Sequence, residues 1–194
     1  VLVDRRHAGM HTDFVSLDNH SAMRDTCGHL VEGGYRELLY LTEPQKGVSS
    51  RRERTAAFGA CVAAHEPRVA GEVFESVEGE SDALDEALRA LHRRAKRGRR
   101  AAVVAGNAVV TLRVAQAMAR LGWQFGQELG FVGFDDPEWA SLIGPGLSTV
   151  AQPTDAIGRC AATCLIERLQ GLDVAARQLL LPGQLVVRGS SQPA

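Results

Sequence analysis

Residues 101–110 read AAVVAGNAVV, residues 129–136 read LGFVGFDD, and residues 144–153 read GPGLSTVAQP. The first two stretches are short apolar runs, and each ends in a small polar cluster, Gly106-Asn107 or Asp135-Asp136. Such a run, bounded by turn residues, is typical of a strand that is buried on both faces of a parallel α/β sheet. Ligands of these sheets bind beyond the carboxyl ends of the strands. These stretches therefore predict a parallel α/β fold. They place Asn107 and Asp135 at the edge of the sheet where a ligand is expected to bind.

The same alternation of apolar runs and amphipathic segments continues along the rest of the chain. Predicted strands cover residues 1–4, 37–42, 72–76, 101–105 and 129–134, and short extended segments follow at 147–152, 178–181 and 184–187. Predicted helices run from Asp18 or Asn19 to about Glu32, from Ser49 or Ser50 to about His65, onward from the acidic segment 78–86, over 108–121, and from Thr154 or Asp155 to about Leu169. The hydroxyl, amide or carboxylate side chains at these starts are expected to cap their helices.

The bulk composition is that of an ordinary soluble globular chain. The 194 residues are 45% hydrophobic and 23% charged, with a net charge of −1, so the whole chain does not attract nucleic acid or anionic membranes strongly. No apolar run approaches the roughly 20 residues that span a bilayer. The first residues, VLVDRRHAGM, are not typical of a signal peptide and begin like an interior strand. We therefore expect the sequence to be a fragment of a longer protein that continues upstream.

The cysteine and histidine patterns indicate no metal site. The four cysteines, Cys27, Cys61, Cys160 and Cys164, lack further ligands nearby in the sequence and are expected to be buried free thiols in a reducing cytosol. The six histidines show no metal-ligand spacing, and no serine or cysteine stands in a nucleophile motif such as G-x-S-x-G. We expect no metal, no cofactor and no enzyme activity.

Several motifs occur in a family-specific order: LVDR (2–5), LDN (17–19), HLVEGGYRELLYLT (29–42), SSRRERTAAF (49–58), ELGFVGFDDPEWA (128–140), GPGLSTVAQP (144–153) and LLLPGQLVVRGSS (179–191). Over nearly its whole length the chain resembles the effector-binding domain of lactose-repressor-type (LacI-type) bacterial transcriptional regulators. Its loop TEPQKGVSSRRER (42–54) is similar to that of regulators of ketogluconate and related sugar-acid catabolism. The resemblance implies the type I periplasmic-binding-protein fold. This is an α/β fold with a doubly wound parallel sheet, here mostly the C-terminal lobe plus a remnant of the N-terminal lobe.

The resemblance also implies how the chain passes between the two lobes. Residues 1–18 and 148–172 are expected in the remnant of the N-terminal lobe, and residues 19–147 and 173–194 in the C-terminal lobe. The helix-turn-helix DNA-binding domain is expected to be absent and to lie upstream. The implied protein is a cytoplasmic homodimer that contacts operator DNA only through that missing domain and does not bind membranes. Its effector is a small sugar or sugar acid, bound between the lobes, which alters operator binding allosterically.

The resemblance assigns ligand contacts to seven residues: Asp4, Arg5, Ser50, Arg54, Asn107, Asp135 and Gln152. An aspartate that accepts two sugar hydroxyls and an arginine that forks onto a carboxylate suit a sugar acid. Asn107 offers both a donor and an acceptor, and many family members carry an aspartate where this chain has Ala108. The missing carboxylate argues against a neutral sugar. Asp136 is expected to brace its loop.

Other interpretations stay open from the sequence alone. Asp4 and Arg5 could form a surface ion pair at a turn, and Arg51 or Arg52 could lie on a solvated first helical turn. The basic run at residues 93–100 is interpreted as solvated, because no aromatic residues are interleaved with it. A secreted solute-binding protein shares the implied fold. A sugar-phosphate enzyme is a further alternative, although no acid–base pair, glycine-rich phosphate loop or metal cluster supports it.

Overall fold

The computed structural model describes residues 1–95 and 99–192. Within them the strands are β1 (Leu2–Val3), β2 (Phe14–Leu17), β3 (Tyr35–Thr42), β4 (Ala70–Glu75), β5 (Arg100–Ala105), β6 (Gly130–Phe134), β7 (Ser148–Ala151), β8 (Gln178–Leu181) and β9 (Gln184–Val186). The α-helices are α1 (Asn19–Glu32), α2 (Ser49–Ala64), α3 (Ser81–Ala95), α4 (Ala108–Leu121) and α5 (Thr154–Leu169), and short 3₁₀ helices cover Glu138–Leu142 and Gly189–Ser191. Each predicted helix is present, and β2 has no counterpart among the predicted strands.

The larger sheet has six strands in the order β4-β3-β5-β6-β7-β9. Its strands are parallel from β4 to β7, and β9 joins the edge antiparallel to β7. Helices α1 and α2 cover one face, where Met23 and Phe58 are buried. Helices α3 and α4 cover the other, where Leu88 and Val114 are buried. The central strands β5 and β6 are buried along nearly their whole length, as their apolar runs predict, and the helices on both faces confirm the doubly wound α/β fold.

The smaller sheet has three parallel strands in the order β1-β2-β8. Helix α5 packs on it and buries Val15, Ile157 and Cys164 in a separate apolar cluster. Asp13, directly before β2, is 1% exposed and accepts hydrogen bonds from both Arg168 and Arg177. This charged group ties α5 and the segment before β8 to the start of β2.

Two strands lie in the other sheet from the one expected. The family resemblance implies the remnant of the N-terminal lobe for residues 148–172 and the C-terminal lobe for residues 173–194. In the structure, β7 pairs with β6 in the six-stranded sheet, and β8 pairs with β2 in the three-stranded sheet. Ser148 fixes β7, because its backbone N–H donates to Ser190 Oγ at 2.7 Å beyond β9. Leu179 and Leu181 fix β8, because they pack against the apolar cluster under α5. These partners are distant in sequence, so the local pattern did not indicate them.

The chain passes between the sheets after β2, after β7 and after β8, and the three connections lie together. The Asp18 N–H donates to the carbonyl oxygen of Leu181 over 2.7 Å. A Cβ added at Gly183 would come within 3.0 Å of the side chains of Leu17 and Val150. Glycine is needed here because the three segments approach so closely.

Candidate functional site

A cavity of about 540 Å³ lies beyond the carboxyl ends of β1, β3, β5, β6 and β7, a volume typical of a small-molecule site. All seven residues that the family resemblance assigned to ligand contacts line it: Asp4 and Arg5 after β1, Ser50 and Arg54 on α2, Asn107 after β5, Asp135 after β6, and Gln152 after β7. The structure therefore brings the candidate residues together at one place, with contributions from both sheets. Their role in binding stays a prediction.

Arg54 is the buried cation of this cavity, with 5% of its surface exposed. Its Nε donates to Asn19 Oδ1 at 2.7 Å, and its Nη1 donates to the Gly106 carbonyl oxygen at 2.6 Å. The guanidinium carbon lies 4.4 Å from the ring centroid of Phe134. These contacts are all with uncharged groups, and no carboxylate of the described residues forms an ion pair with Arg54. Burial lowers the pKa of Arg54, because desolvation disfavours the charged guanidinium.

A hydrogen-bonded cluster of three side chains lines the same cavity and consists of Asn107, Glu43 and Arg51. Asn107 Oδ1 accepts from the Val110 N–H at 2.9 Å and so caps α4, while Asn107 Nδ2 donates to Glu43 Oε2 at 2.7 Å. Arg51 donates to the same carboxylate oxygen. Glu43 and Arg51 line the cavity but were not among the predicted site residues. The signal for Glu43 was present, because it is the first residue after the buried strand β3, and Asn107 is the second residue after β5.

Asp135 is held firmly at the end of β6. Its φ of 71° lies in the left-handed region that non-glycine residues rarely adopt. Its Oδ2 accepts from the Ala108 N–H at 3.0 Å, and its Oδ1 accepts from Gln152 Nε2 at 2.5 Å. The neighbouring Asp136 is not in the cavity wall; it forms an ion pair with Arg188 at 2.8 Å, and Arg188 holds the pKa of this carboxyl below its usual value. Asp136 thus braces its loop, as predicted.

The smaller sheet contributes Asp4 and Arg5 to the cavity. Asp4 has a φ of 62°, and Arg5 Nε lies 3.5 Å from Asp4 Oδ2. Both side chains are about half exposed, so this ion pair adds little to stability. The surface pair considered from the sequence is therefore present, and both of its members also line the cavity. Nearby, Ser49 Oγ accepts from the Arg6 N–H at 2.8 Å and ties the segment after β1 to α2.

Two helix starts differ from the predicted capping. Val48 is the N-cap of α2 and Pro153 is the N-cap of α5, and neither helix start has a side-chain cap. Ser49 and Ser50 lie inside the first turn of α2, where Ser49 instead binds the segment after β1. The prediction for α1 is confirmed, since Asp18 caps it by accepting from the Ser21 N–H at 3.0 Å.

The basic run at residues 93–100 does not line the cavity in the part that the structure describes. Arg94 and Arg99 lie 3.3 Å and 3.0 Å from the carboxylate of Glu37, which is 5% exposed. Lys96 and Arg97 lie outside the described residues. Arg94 and Arg99 therefore neutralise a buried carboxylate, whereas Arg93 pairs with the exposed Glu86.

Three further findings concern the described residues as a whole. None of their helices is long and apolar enough to cross a membrane. No group of three or more histidine, cysteine, aspartate or glutamate side chains among them is arranged to hold a metal ion. All four cysteines are free thiols, of which Cys27 and Cys164 are buried and Cys61 and Cys160 are partly exposed.

Comparisons with known proteins match both this fold and the motif order. A family model described as "Periplasmic binding protein-like domain" matches residues 27–191. The chain is 43% identical over 191 residues to the HTH-type transcriptional regulator PtxS of Pseudomonas plecoglossicida, and 39% identical over 193 residues to PtxS of Pseudomonas aeruginosa. These alignments cover 98% and 100% of this chain, and 54% and 55% of the relatives. The crystal structure of a LacI family transcriptional regulator from Mycobacterium smegmatis shares the fold, with a TM-score of 0.80 and 23% identity over 100% of this chain and 70% of that one.

The chain spans about half the length of the curated relatives it matches. Both of these relatives are HTH-type transcriptional regulators. The family match covers most of the chain, and the relatives align along nearly all of it. The chain belongs to the periplasmic binding protein-like family, and along nearly all of its length it is similar to HTH-type transcriptional regulators.

Proposed function

We propose that this domain senses a small sugar acid, such as a ketogluconate, within a bacterial DNA-binding repressor. The effector binds in the 540 Å³ cavity between the two sheets and changes operator binding allosterically. A separate helix-turn-helix domain of the whole protein carries the DNA contacts, as the names of the HTH-type relatives suggest. The working form is a cytoplasmic homodimer, and the domain itself makes and breaks no covalent bond.

Arg54 carries the proposal that the effector is an acid. It is a nearly fully buried cation, and its hydrogen-bond partners among the described residues, the Asn19 side chain and the Gly106 carbonyl, are both uncharged. The carboxylates of Asp4, Glu53 and Asp135 act on it only from beyond ion-pair distance. A guanidinium that has lost most of its water is stabilised by a carboxylate, which it binds in a planar, two-pronged geometry. The uncapped first turn of α2, which also lines the cavity, favours a negative charge as well.

The carboxylates of the cavity suit the hydroxyl groups of the same ligand. Asp135 and Glu43 are acceptors fixed by donors of the protein, and each keeps unused lone pairs for a sugar hydroxyl. Gln152 and Asn107 add amide groups beside them. A ligand with one carboxylate and several hydroxyls matches this mixture better than a neutral sugar or a dianion does.

The sensing step follows from the position of the cavity. Asp4 and Arg5 come from the smaller sheet, and Arg54 and Asp135 come from the larger one. A ligand that contacts residues of both sheets stabilises the relative arrangement of the sheets in which all of these contacts form at once. It therefore shifts the population toward that arrangement, and linkage requires that operator affinity changes by the same coupling free energy.

Isothermal titration calorimetry of the full-length protein tests this function, with 2-ketogluconate and fructose as a matched pair of hydroxylated ligands. A charge-assisted hydrogen bond contributes about 1.5–3 kcal/mol, so we expect the acid to bind roughly 10- to 150-fold more tightly than the neutral ketose. Equal affinity for the two would refute the assignment of an acid. Release of a chemically altered product during the titration would refute the assignment of a sensor.

A further inference from the structure

A row of polar side chains leads from the smaller sheet to Arg54, and the function proposed above assigns no role to its outer members. Arg54 Nε donates to Asn19 Oδ1 at 2.7 Å. The other end of the same amide, Asn19 Nδ2, donates to Glu53 Oε2 at 2.8 Å. The second oxygen of that carboxylate, Glu53 Oε1, lies 3.4 Å from Arg6 Nε. We call this row the Arg6–Glu53–Asn19–Arg54 relay.

The two inner neighbours of Asn19 fix the orientation of its amide. A carboxylate only accepts hydrogen bonds, and a guanidinium only donates them. The amide therefore turns its nitrogen to Glu53 and its oxygen to Arg54. The reversed amide would place its NH₂ group against the Arg54 Nε–H and its oxygen against the carboxylate. Asn19 is 1% exposed, so water does not compete for either contact.

Glu53 acts on Arg54 through this amide and not through an ion pair. Consecutive residues of a helix diverge by about 100°, so the two side chains leave α2 in different directions. A carboxylate that accepts from an amide polarises it, which strengthens the contact that the amide oxygen makes. The negative charge thus steadies the guanidinium at Nε and leaves Nη2, which makes no hydrogen bond with the described residues, for the carboxylate of a ligand.

Arg6 ties the relay to the smaller sheet. It follows β1, and its guanidinium carbon lies 4.1 Å from the ring centroid of Phe14, the first residue of β2. Glu53 thus receives one donor from α1, which packs on the larger sheet, and one from a segment that is held on the smaller sheet. A movement between the sheets changes the second contact and reaches Arg54 through the first.

We propose that Glu53 is a positioning residue of the effector site. Through the Asn19 amide it holds Arg54 in the orientation that receives an acid, and through Arg6 it makes that orientation depend on the position of the smaller sheet. The inference rests on the proposed function, because it takes an acid as the ligand of Arg54. By linkage, a bound acid also stabilises the arrangement of the sheets in which Arg6 and Glu53 pair.

Calorimetry on the full-length protein with 2-ketogluconate and fructose tests the role of Glu53. Glu53→Met removes the acceptor for the Asn19 amide and should weaken binding of the acid about tenfold, the size of one hydrogen bond, with the affinity for fructose unchanged. Glu53→Gln keeps an acceptor for the amide and should retain most of the affinity. Glu32→Met, at an exposed position on α1 outside the cavity, is the matched control and should change neither. Equal losses in the Met and Gln variants, or an unchanged affinity for the acid in Glu53→Met, would overturn the positioning role.

Double-mutant cycles separate the positioning of Arg54 from general damage. In the Arg54→Met background no guanidinium is left to orient, so Glu53→Met should change the affinity for the acid by less than about twofold. A loss of the same size in both backgrounds would overturn the connection to Arg54. Arg6→Met keeps a side chain on the Phe14 ring but removes the partly exposed ion pair, so we expect up to about a fivefold loss, which should disappear in the Glu53→Gln background. A loss that persists there would overturn the connection to the smaller sheet.

Crystal structures of the unliganded wild type and of Glu53→Met need no effector. We expect Arg54 Nε to move beyond hydrogen-bond distance of Asn19 Oδ1 in the variant, and an unchanged 2.7 Å contact would contradict the positioning role. If neither ligand binds the wild type, the proposed function fails, and these two structures still decide whether Glu53 orients Arg54.

Discussion

Replacing Arg54 by methionine removes the buried cation while keeping a long side chain on the ring of Phe134. The guanidinium stacks 4.4 Å from that ring centroid, and a methionine thioether makes a favourable contact with the same surface. If Arg54 binds the carboxylate of a sugar acid, Arg54→Met loses one charge-assisted interaction of about 1.5–3 kcal/mol. We therefore expect the dissociation constant for 2-ketogluconate to rise roughly 10- to 150-fold, at about 1.4 kcal/mol for each factor of ten.

The same substitution should have a smaller effect on folding. It leaves the Asn19 side-chain oxygen and the Gly106 carbonyl without their donor, which costs about 1–3 kcal/mol for each acceptor that stays buried. It also removes a desolvated charge, whose burial is itself costly. The two effects oppose each other. We expect the free energy of unfolding to fall by less than about 2 kcal/mol, so the variant stays folded at the temperature of the binding assay.

Calorimetry on the full-length protein, with 2-ketogluconate and fructose against both wild type and Arg54→Met, separates charge recognition from general damage. Arg52→Met is the matched control, because Arg52 carries the same charge on the same helix but is exposed and does not line the cavity. We expect the loss to be confined to the acid and to Arg54. A loss of the same size for both ligands, or an unchanged affinity for the acid, would refute the assignment of Arg54 as the carboxylate partner.

Three further substitutions test the structure around the site. Two arginines hold the pKa of Asp13 well below its usual value, so its stabilising effect is complete above about pH 4 and is lost as the pH falls further. Urea unfolding should show that Asp13→Asn destabilises at pH 7 but flattens the decline toward pH 2, while Asp25→Asn, at an exposed position within α1, changes both far less. Gly106→Ala places a Cβ 2.8 Å from a buried tyrosine hydroxyl and should cost about 1–3 kcal/mol in urea unfolding, whereas Gly59→Ala, in open space on α2, should stabilise by up to about 1 kcal/mol. Ala108→Asp adds a carboxylate beside the one that ends β6, so calorimetry should show at least a tenfold weaker affinity for the acid; an unchanged affinity would contradict the charge argument.

The sequence was most informative where a local pattern decides the structure. The apolar runs before Asn107 and Asp135 predicted β5 and β6, because a strand covered by helices on both faces must be apolar throughout. The position of both side chains at the binding edge followed directly, since each is the first or second residue after its strand.

Pairing between distant segments was not predictable in the same way. Strand β2 has only four residues, includes the buried Ser16, and is paired on one side with β8 from the far end of the chain. Local propensity carries no information about such a partner. The same limit explains Arg51, which a helical pattern places on a solvated first turn but which the fold brings to the carboxylate of Glu43.

Backbone strain indicates which half of the cavity is already fixed. Among the described residues, Asp4 and Asp135 are the non-glycine residues with positive φ, and each ends a strand of a different sheet at the cavity. This conformation costs about 1 kcal/mol or more, and such costs persist mainly where a functional geometry requires them. Asp135 is held by the Ala108 N–H and the Gln152 amide, so its carboxylate is oriented before any ligand arrives. Asp4 forms its ion pair with the exposed Arg5 at 3.5 Å, so its orientation is set less firmly. If a ligand binds both carboxylates, as the proposed function requires, it orders Asp4 more than Asp135. Its main effect is then to fix the position of the smaller sheet relative to the larger one, which is the population shift that a sensor needs.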